Sequence, residues 1–250
     1  MYGWRGRIGM LAPSRGDTLL YEFYLVAPEG VMAVPYCCEL TVLDRKQLES
    51  VRDKYLAGVQ KLDREEVDVI SVGGTPPQIL HGWAASEKLM DDLRSQSAAR
   101  LVGCAESEVA AVKASGATRV ALVTPHGDEL NDRLRQVFED NGVQVASISG
   151  LGMSNTLDIA KVSEADVHRT ILNAAYGAGS IDAVHISCPR WPTIRLLAPL
   201  EETLGIPVTS GGQAQLWASF GALGVKPRPG DWGSLWDHVH PRWPAIPSVA

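Results

Sequence analysis

Short runs of apolar residues, many of them β-branched, alternate with longer amphipathic windows along most of the chain, up to about residue 222. Such runs predict strands buried on both faces, because a parallel sheet covered by helices carries few polar side chains. The predicted strands are Arg7–Ala12, Val67–Val72, Arg119–Thr124, Val143–Ile148 and Ala183–Ser187. The alternation predicts an α/β chain of mostly parallel sheets flanked by helices.

The amphipathic windows repeat apolar residues at steps of three and four, which is the period of one helix face. Leu48, Val51, Tyr55, Val59 and Leu62 form such a face, with charged residues between them. Further helices are predicted at Gln78–Gln96, Ala105–Ser115, Asp128–Asn141, Ser163–Tyr176 and Arg190–Leu204.

An internal repeat divides the chain into two similar halves. The segment RIGMLAP from Arg7 aligns with RVALVTP from Arg119, and VDVISVGGTP from Val67 aligns with IDAVHISCPR from Ile181. Because the two pairs occur in the same order at nearly equal spacing, we expect two pseudo-symmetric Rossmann-like lobes with the active site in the cleft between them. The predicted lobes are residues 1–112 with 211–250, and residues 113–210.

Four loops are expected to meet in that cleft, since ligands of α/β sheets bind beyond the C-terminal ends of the strands. The loops are Pro13–Thr18, Gly73–Pro77, Pro125–Asp128 and Ser187–Trp191. Under the repeat, Gly74 and Cys188 occupy equivalent positions on opposite walls, so only one wall carries a thiol there.

Cys188 is the main candidate for chemistry. It follows a predicted strand and precedes a predicted helix, where peptide N–H groups and the helix dipole lower a thiol pKa. His126 is a candidate general base or hydrogen-bond donor beside it. Asp17 is a second candidate for moving protons. Three other thiols, Cys37, Cys38 and Cys104, are expected to be structural.

The same loops supply candidate substrate-binding groups. Gly74 lets a ligand approach the backbone, and Thr75 adds a hydroxyl, which suits a carboxylate or an amide. Ser14 and Thr18 offer hydroxyls on the neighbouring loop. The sequence contains no glycine-rich dinucleotide or phosphate-binding motif, which predicts chemistry without a cofactor. No CxxC pair occurs, and His238 and His240 lack a nearby third ligand, so no metal is expected.

Composition narrows the function classes. The chain has 250 residues, with 23 basic and 29 acidic side chains and a formal net charge of −6, and no basic run suits a phosphate backbone. No apolar stretch approaches the roughly 20 residues of a membrane span, and no basic-then-apolar leader opens the chain. We therefore expect no nucleic-acid or membrane partner, a small-molecule ligand and a cytoplasmic location.

The chain resembles the aspartate/glutamate racemase superfamily, and within it the branch of maleate cis-trans isomerases and arylmalonate decarboxylases. The resemblance covers about residues 6–237 and is carried by IGMLAPS with Thr18, Gly73-Gly-Thr75, RVALVT, Ser187-Cys188 and Arg228-Pro-Gly230. It implies two pseudo-symmetric lobes, no cofactor, and a small carboxylic acid as substrate. Racemases of the superfamily use two thiols, whereas arylmalonate decarboxylases resemble this chain in having glycine at position 74 and one cysteine, matching Cys188, that protonates an enediolate.

Four positions depart from the family pattern. Pro76, His126 and Pro189 stand where the decarboxylases have a serine, a tyrosine and an amide that bind the enediolate. Asp17 stands where the isomerases have an asparagine that binds a substrate carboxylate. An ionised Asp17 is expected to repel a carboxylate and to favour an amide, an imide N–H or a cation.

These observations favour a cofactor-independent isomerase or decarboxylase that acts on a small carboxylic acid through a single cleft cysteine. A cysteine-dependent hydrolase of a small amide, imide or enamide on the same scaffold is the first alternative. A catalytically silent small-ligand binder is the second. The Pro- and Trp-rich tail from Pro227 to Ala250 is expected to pack over a lobe or over a second subunit of a homo-oligomer.

Overall fold

A computed structural model of the chain describes residues 2–243. The strands are β1 Gly6–Ala12, β2 Val31–Cys37, β3 Val69–Val72, β4 Arg100–Gly103, β5 Arg119–Thr124, β6 Gln144–Gly150, β7 Ala183–Ile186 and β8 Val208–Ser210. The helices are α1 Asp17–Val26, α2 Arg45–Arg64, α3 Thr75–Ile79, α4 Trp83–Arg94, α5 Cys104–Ala114, α6 Asp128–Asp140, α7 Thr156–Ile159, α8 Glu164–Gly177, α9 Leu197–Leu204 and α10 Gly211–Leu223, followed by a 3-10 turn at Ser234–Asp237.

The strands form two four-stranded parallel sheets with the same topology. The first has the order β2-β1-β3-β4 and the second the order β6-β5-β7-β8. The central strands β3 and β7 are buried along their whole length. The predicted fold class, two pseudo-symmetric α/β lobes, is thereby confirmed.

The repeated segments are held in the same way in both lobes. Asp68 accepts a hydrogen bond from the backbone N–H of Arg7 at 2.8 Å, and its own N–H donates to the Arg7 carbonyl at 2.9 Å. Asp182 makes the equivalent two bonds with Arg119, at 2.8 and 2.9 Å. Each aspartate therefore aligns the start of its lobe's two central strands.

Two predicted helices differ from the structure. The window Gln78–Gln96 is divided into α3 and α4, because Gly82, with a φ of +83°, turns the chain before Trp83. The window Arg190–Leu204 is helical only from Leu197. Pro192 has no N–H to give to a helix, and the N–H groups of the next two residues bind the carboxylate of Glu22 instead.

The chain after β8 returns to the first sheet, where α10 packs against α5, β3 and β4. The described part of the tail covers α1 and α10. Arg228 donates to the carbonyl of Ala27, and the Trp217 indole N–H donates to the carbonyl of His238. Residues 244–250 of the predicted tail lie outside the described residues. The lobe boundaries stay a prediction. Among the described residues, no helix is both long and apolar enough to cross a lipid bilayer.

Candidate active site

A cavity of about 310 Å³ lies between the two sheets, beyond the C-terminal ends of β1, β3, β5 and β7. All four predicted loops contribute to its wall. The predicted site residues in the wall are Ser14, Asp17, Gly74, Thr75, Pro76, His126, Cys188 and Pro189. Thr18, on the first turn of α1, does not line the cavity, so its predicted substrate contact has no support in the geometry.

Gly74 and Cys188 occupy equivalent positions, as the repeat predicts. The N–H before Gly74, on Gly73, donates to the Leu11 carbonyl at 2.8 Å, and the N–H of Ser187 donates to the Val123 carbonyl at 2.9 Å. Gly74 has a φ of +89°, and a Cβ there would lie 2.5 Å from Cγ of Pro13. The local backbone therefore requires glycine opposite the thiol.

Cys188 is only 3% exposed, and it is followed by turns rather than by the predicted helix. Burial raises the pKa of its thiol to about 12, although the N–H groups of Arg190 and Trp191 oppose the increase. The expected lowering of this pKa by a helix dipole is therefore wrong. The raised pKa favours the thiol over the thiolate at neutral pH, which suits a proton donor.

His126 is buried, and burial lowers its pKa to about 4, so the imidazole is neutral at pH 7. Among residues 2–243, no hydrogen bond joins it to Cys188, and its Nδ1 has no partner. The predicted role of His126 as a base acting directly on the thiol has no hydrogen bond to support it. The ring is a neutral polar group in the cavity wall.

Asp17 lies at the mouth of the cavity with a side chain that is 50% exposed. One carboxylate oxygen is 3.0 Å from Nη2 of Arg15, and the other is 3.9 Å from Nη2 of Arg190. Its charge is shared with two guanidinium groups. The expectation that Asp17 repels a substrate carboxylate stays a prediction, although the two guanidinium groups beside it oppose that repulsion.

Arg190 is a site residue that the loop argument missed. Its guanidinium lines the cavity, its side chain is only 12% exposed, and it donates to Oγ of Ser14 at 3.2 Å and to the carbonyl of Arg15. Burial lowers the pKa of Arg190 from its usual value, and the charge of Asp17 opposes this. A partly desolvated guanidinium in an apolar cavity attracts a carboxylate.

Glu108 is a second missed residue, and it lies behind the wall. Its Oε1 accepts from Oγ1 of Thr75 at 2.6 Å, and its Oε2 accepts from Oγ of Ser187 at 2.7 Å. Nε2 of His185 is 3.3 Å from Oε2, without the alignment of a hydrogen bond. Burial raises the pKa of Glu108, but His185 and the two hydroxyls outweigh it and lower the pKa below its usual value. Glu108 is therefore an ionised carboxylate.

Two thiols that we expected to be structural are also near the cavity. Cys37, at the end of β2, is exposed and lines the wall. Cys104 is buried behind it, with Sγ 3.2 Å from Oγ1 of Thr75. The remainder of the wall is mostly apolar and includes Leu19, Leu20, Leu40, Leu43 and Ile159.

The arrangement of possible metal ligands bears on the expectation that no metal is bound. Within residues 2–243, no group of three or more His, Cys, Asp and Glu side chains is arranged to hold a metal ion. The ring of His240 packs against Trp217, with 4.6 Å between the ring centroids.

A family model described as arylmalonate decarboxylase matches residues 10–236. The chain belongs to the arylmalonate decarboxylase family. The predicted resemblance is thus confirmed, and the chain is an enzyme of the cysteine-dependent isomerase and decarboxylase type. The alternative of a catalytically silent binder is not supported.

Individual relatives agree with this assignment. The chain is 27% identical to an arylmalonate decarboxylase of Bordetella bronchiseptica over 214 residues, which is 85% of this chain and 82% of the relative. It is 21% identical to a maleate isomerase of Geobacillus stearothermophilus over 246 residues, which is 92% of this chain and 96% of the relative.

Solved structures show the same fold. A doubly substituted arylmalonate decarboxylase in the liganded form has a TM-score of 0.87 at 22% identity, covering 93% of this chain and 99% of that chain. A substituted Nocardia farcinica maleate cis-trans isomerase with a covalently bound succinylcysteine intermediate has a TM-score of 0.80 at 19% identity, covering 92% and 98%.

Proposed function

We propose that the protein is a cofactor-independent decarboxylase of a small substituted malonic acid, in which Cys188 protonates the carbon that loses CO2. The observation that carries this proposal is the buried thiol of Cys188 in the cavity wall, opposite a glycine of positive φ that bears no second thiol. One acid on one wall delivers a proton to one face of a carbanion. A racemase that uses two thiols needs a second cysteine at position 74 to accept a proton on the opposite wall, and this chain has glycine there.

The chemical step balances without a cofactor. The carbon–carbon bond to one carboxylate breaks, CO2 leaves, and the electron pair stays on the α-carbon as an enediolate. The S–H bond of Cys188 then breaks and its proton forms the new C–H bond. The thiolate that remains is stabilised by the charge of Arg190 and by the N–H groups that follow Cys188, and water restores its proton.

The cavity suits such a substrate. Arg190, held by Ser14 and by the carbonyl of Arg15, is the group that would bind the carboxylate that is retained, and the half-exposed Asp17 competes with that carboxylate for the guanidinium. The apolar side chains of the wall would accommodate the substituent and the carboxylate that departs. An ionised carboxylate is destabilised in apolar surroundings, whereas CO2 is not charged, so the wall favours loss of CO2.

Isomerisation of an unsaturated dicarboxylic acid is the second candidate, because Cys37 adds a second thiol to the same cavity wall. The hydrolase alternative has less support. It needs a thiolate held by a base, but the raised pKa of Cys188 favours the thiol and, among the described residues, neither His126 nor Asp17 is hydrogen-bonded to it.

Three assays on the purified protein test the proposal. Aryl- and alkyl-malonates are supplied and CO2 is measured; maleate is supplied and its isomerisation is followed; enamide and imide acids are supplied and a mass gain of one water is sought. We expect CO2 release, and in D2O one deuterium at the α-carbon. Cys188→Ser should lower kcat by about 10² to 10⁴, the usual contribution of a positioned acid.

Cys37→Ser separates the two leading candidates. Decarboxylation through Cys188 alone predicts that this variant keeps most of the CO2 release, since serine preserves the shape of the wall. Equal losses in the Cys37 and Cys188 variants, or turnover of maleate alone, would favour isomerisation. Release of CO2 by Cys188→Ser at the wild-type rate would overturn the proposal.

A further inference from the structure

Glu108 connects the two walls of the cavity. It lies on α5 with a side chain that is 1% exposed. The hydroxyl of Thr75, directly after Gly74 and the first sheet, donates to one of its oxygens, and the hydroxyl of Ser187, directly before Cys188 and after the second sheet, donates to the other. One carboxylate thus holds a residue adjacent to each of the two mirror positions.

A carboxylate suits this position because it is an acceptor at both oxygens. Both hydroxyl hydrogens are directed at it, and hydrogen bonds to a charged acceptor are stronger than neutral ones. An amide of the same shape has one acceptor and one donor, so one hydroxyl would have to turn away from its present partner.

The start of α10 is shaped around the same carboxylate. A Cβ on Gly211, the first residue of α10, would lie 2.5 Å from Oε1 of Glu108 and 3.5 Å from the backbone nitrogen of Cys188. The carboxylate therefore lies close to the backbone of Cys188 and at a helix N-terminus, where the helix dipole favours a negative charge.

We propose that Glu108 is a positioning residue for the reaction at Cys188: it fixes the separation of the Gly74–Thr75 wall from the Ser187–Cys188 wall by binding one hydroxyl of each. The inference rests on the proposed function as far as turnover is concerned. Besides this geometric role, the negative charge of Glu108 adds to the effect of burial, which is the main cause of the raised pKa of Cys188.

Other titratable groups face the same carboxylate. They are Cys104 on α5, His185 on β7, His126 after β5, and Cys188 itself. Removing the charge of Glu108 while keeping the side-chain shape therefore changes the electrostatic environment of Cys188 without changing the residues around it.

The test compares Glu108→Gln with Glu106→Gln, a matched control on the same helix whose side chain pairs with Arg94 outside the cavity. Steady-state kinetics on a malonate are measured for both. Alkylation of each cysteine by iodoacetamide at pH 8 is followed by peptide mass spectrometry. Cys38, which is buried outside this cluster, reports any general loosening of the fold.

We expect Glu108→Gln to lower kcat by about 10- to 100-fold, the range expected when reacting groups are misplaced by about 1 Å. We expect Cys188 to be alkylated faster than in the wild type, because removal of a nearby like charge lowers the pKa of a thiol. Glu106→Gln should match the wild type in both measurements, and Cys38 should react at the same rate in all three proteins.

Wild-type kcat in Glu108→Gln, or an unchanged alkylation rate of Cys188, would overturn the inference. Faster alkylation of Cys38 together with Cys188 would also overturn it, since that result indicates a purely structural role. Alkylation requires no substrate, so the alkylation rate of Cys188 still tests the inference if malonates prove not to be substrates and the proposed function fails. If Glu108→Gln does not fold, Ser187→Ala removes one of the two hydroxyl hydrogen bonds alone, and an unchanged kcat in that variant would count against the inference.

Discussion

Replacing Glu22 by glutamine is expected to stabilise the protein above pH 7 while leaving its stability near pH 5 almost unchanged. Glu22 lies on α1 and is 2% exposed. Its Oε1 accepts hydrogen bonds from the N–H groups of Thr193 at 2.6 Å and Ile194 at 2.8 Å. Its Oε2 is buried and has no partner among the described residues. Glutamine keeps the acceptor oxygen and removes the charge.

The magnitude follows from the pKa of the carboxyl group. Burial raises the pKa of Glu22 from 4.5 to about 7, and the two N–H bonds only partly oppose it. The folded protein therefore holds this proton at pH values where the unfolded chain has released it. The stability that this group contributes is complete below pH 4.5 and is lost as the pH rises to 7. The loss amounts to about 3 kcal/mol.

Urea unfolding at pH 5, 6, 7 and 8 measures this effect. The free energy of unfolding of Glu22→Gln minus that of the wild type should increase by about 2.5 kcal/mol between pH 5 and pH 8. Glu29→Gln, which removes one exposed carboxylate near the end of the same helix, controls for the change in net charge. If the wild type and Glu22→Gln change in parallel across the four pH values, the assignment of a raised pKa to Glu22 is refuted.

Two further predictions concern the cavity wall. Gly74→Ala should lower the free energy of unfolding by about 2–4 kcal/mol, because a positive φ and an overlap with Pro13 act together. Gly116→Ala is the control, since Gly116 has a φ of +80° and no atom within 4 Å, so that only the cost of the positive φ should appear. Equal decreases of the free energy of unfolding in urea would contradict the overlap at Gly74. Asp17→Asn should lower KM for a carboxylate substrate about two- to fivefold at low salt, since it releases Arg190 from a half-exposed ion pair. An unchanged or higher KM would show that Arg190 does not bind the substrate.

Strands β1, β3, β5, β6 and β7 were predicted from the sequence, whereas β2, β4 and β8 were not, and β4 and β8 are only four and three residues long. Strand β3 is buried at every residue, which makes it a continuous apolar run. Strand β2 has Pro35 in its middle and pairs with β1 alone, and Pro lowers the expectation of a strand. The helix expected from Arg190 was wrong because Glu22, distant in sequence, captures the N–H groups that a helix would use.

The site residues that directly follow a strand were predicted, whereas Arg190, on the turn after Cys188, and Glu108, on α5, were missed. Cys188 and Thr75 follow strands directly, so the rule for α/β sheets points to them. Glu108 follows Cys104 by four residues and precedes Val112 by four, so it lies on the buried face of its helix. Glu22 lies between Leu19 and Val26 in the same manner. A carboxylate at an apolar position of a helix was the available signal for both.

The carboxylate that joins the two walls also has a consequence for how a ligand enters. Rotating the lobes apart about a hinge would separate Glu108 from Thr75 or from Ser187 and leave a buried charge short of a partner. Loss of a hydrogen bond to a charged group costs about 1.5–3 kcal/mol, so this contact alone disfavours a hinge-opened form by about 10- to 100-fold. Substrate is therefore expected to enter, and CO2 to leave, through the mouth of the cavity beside Asp17 and Cys37 while the lobes stay closed.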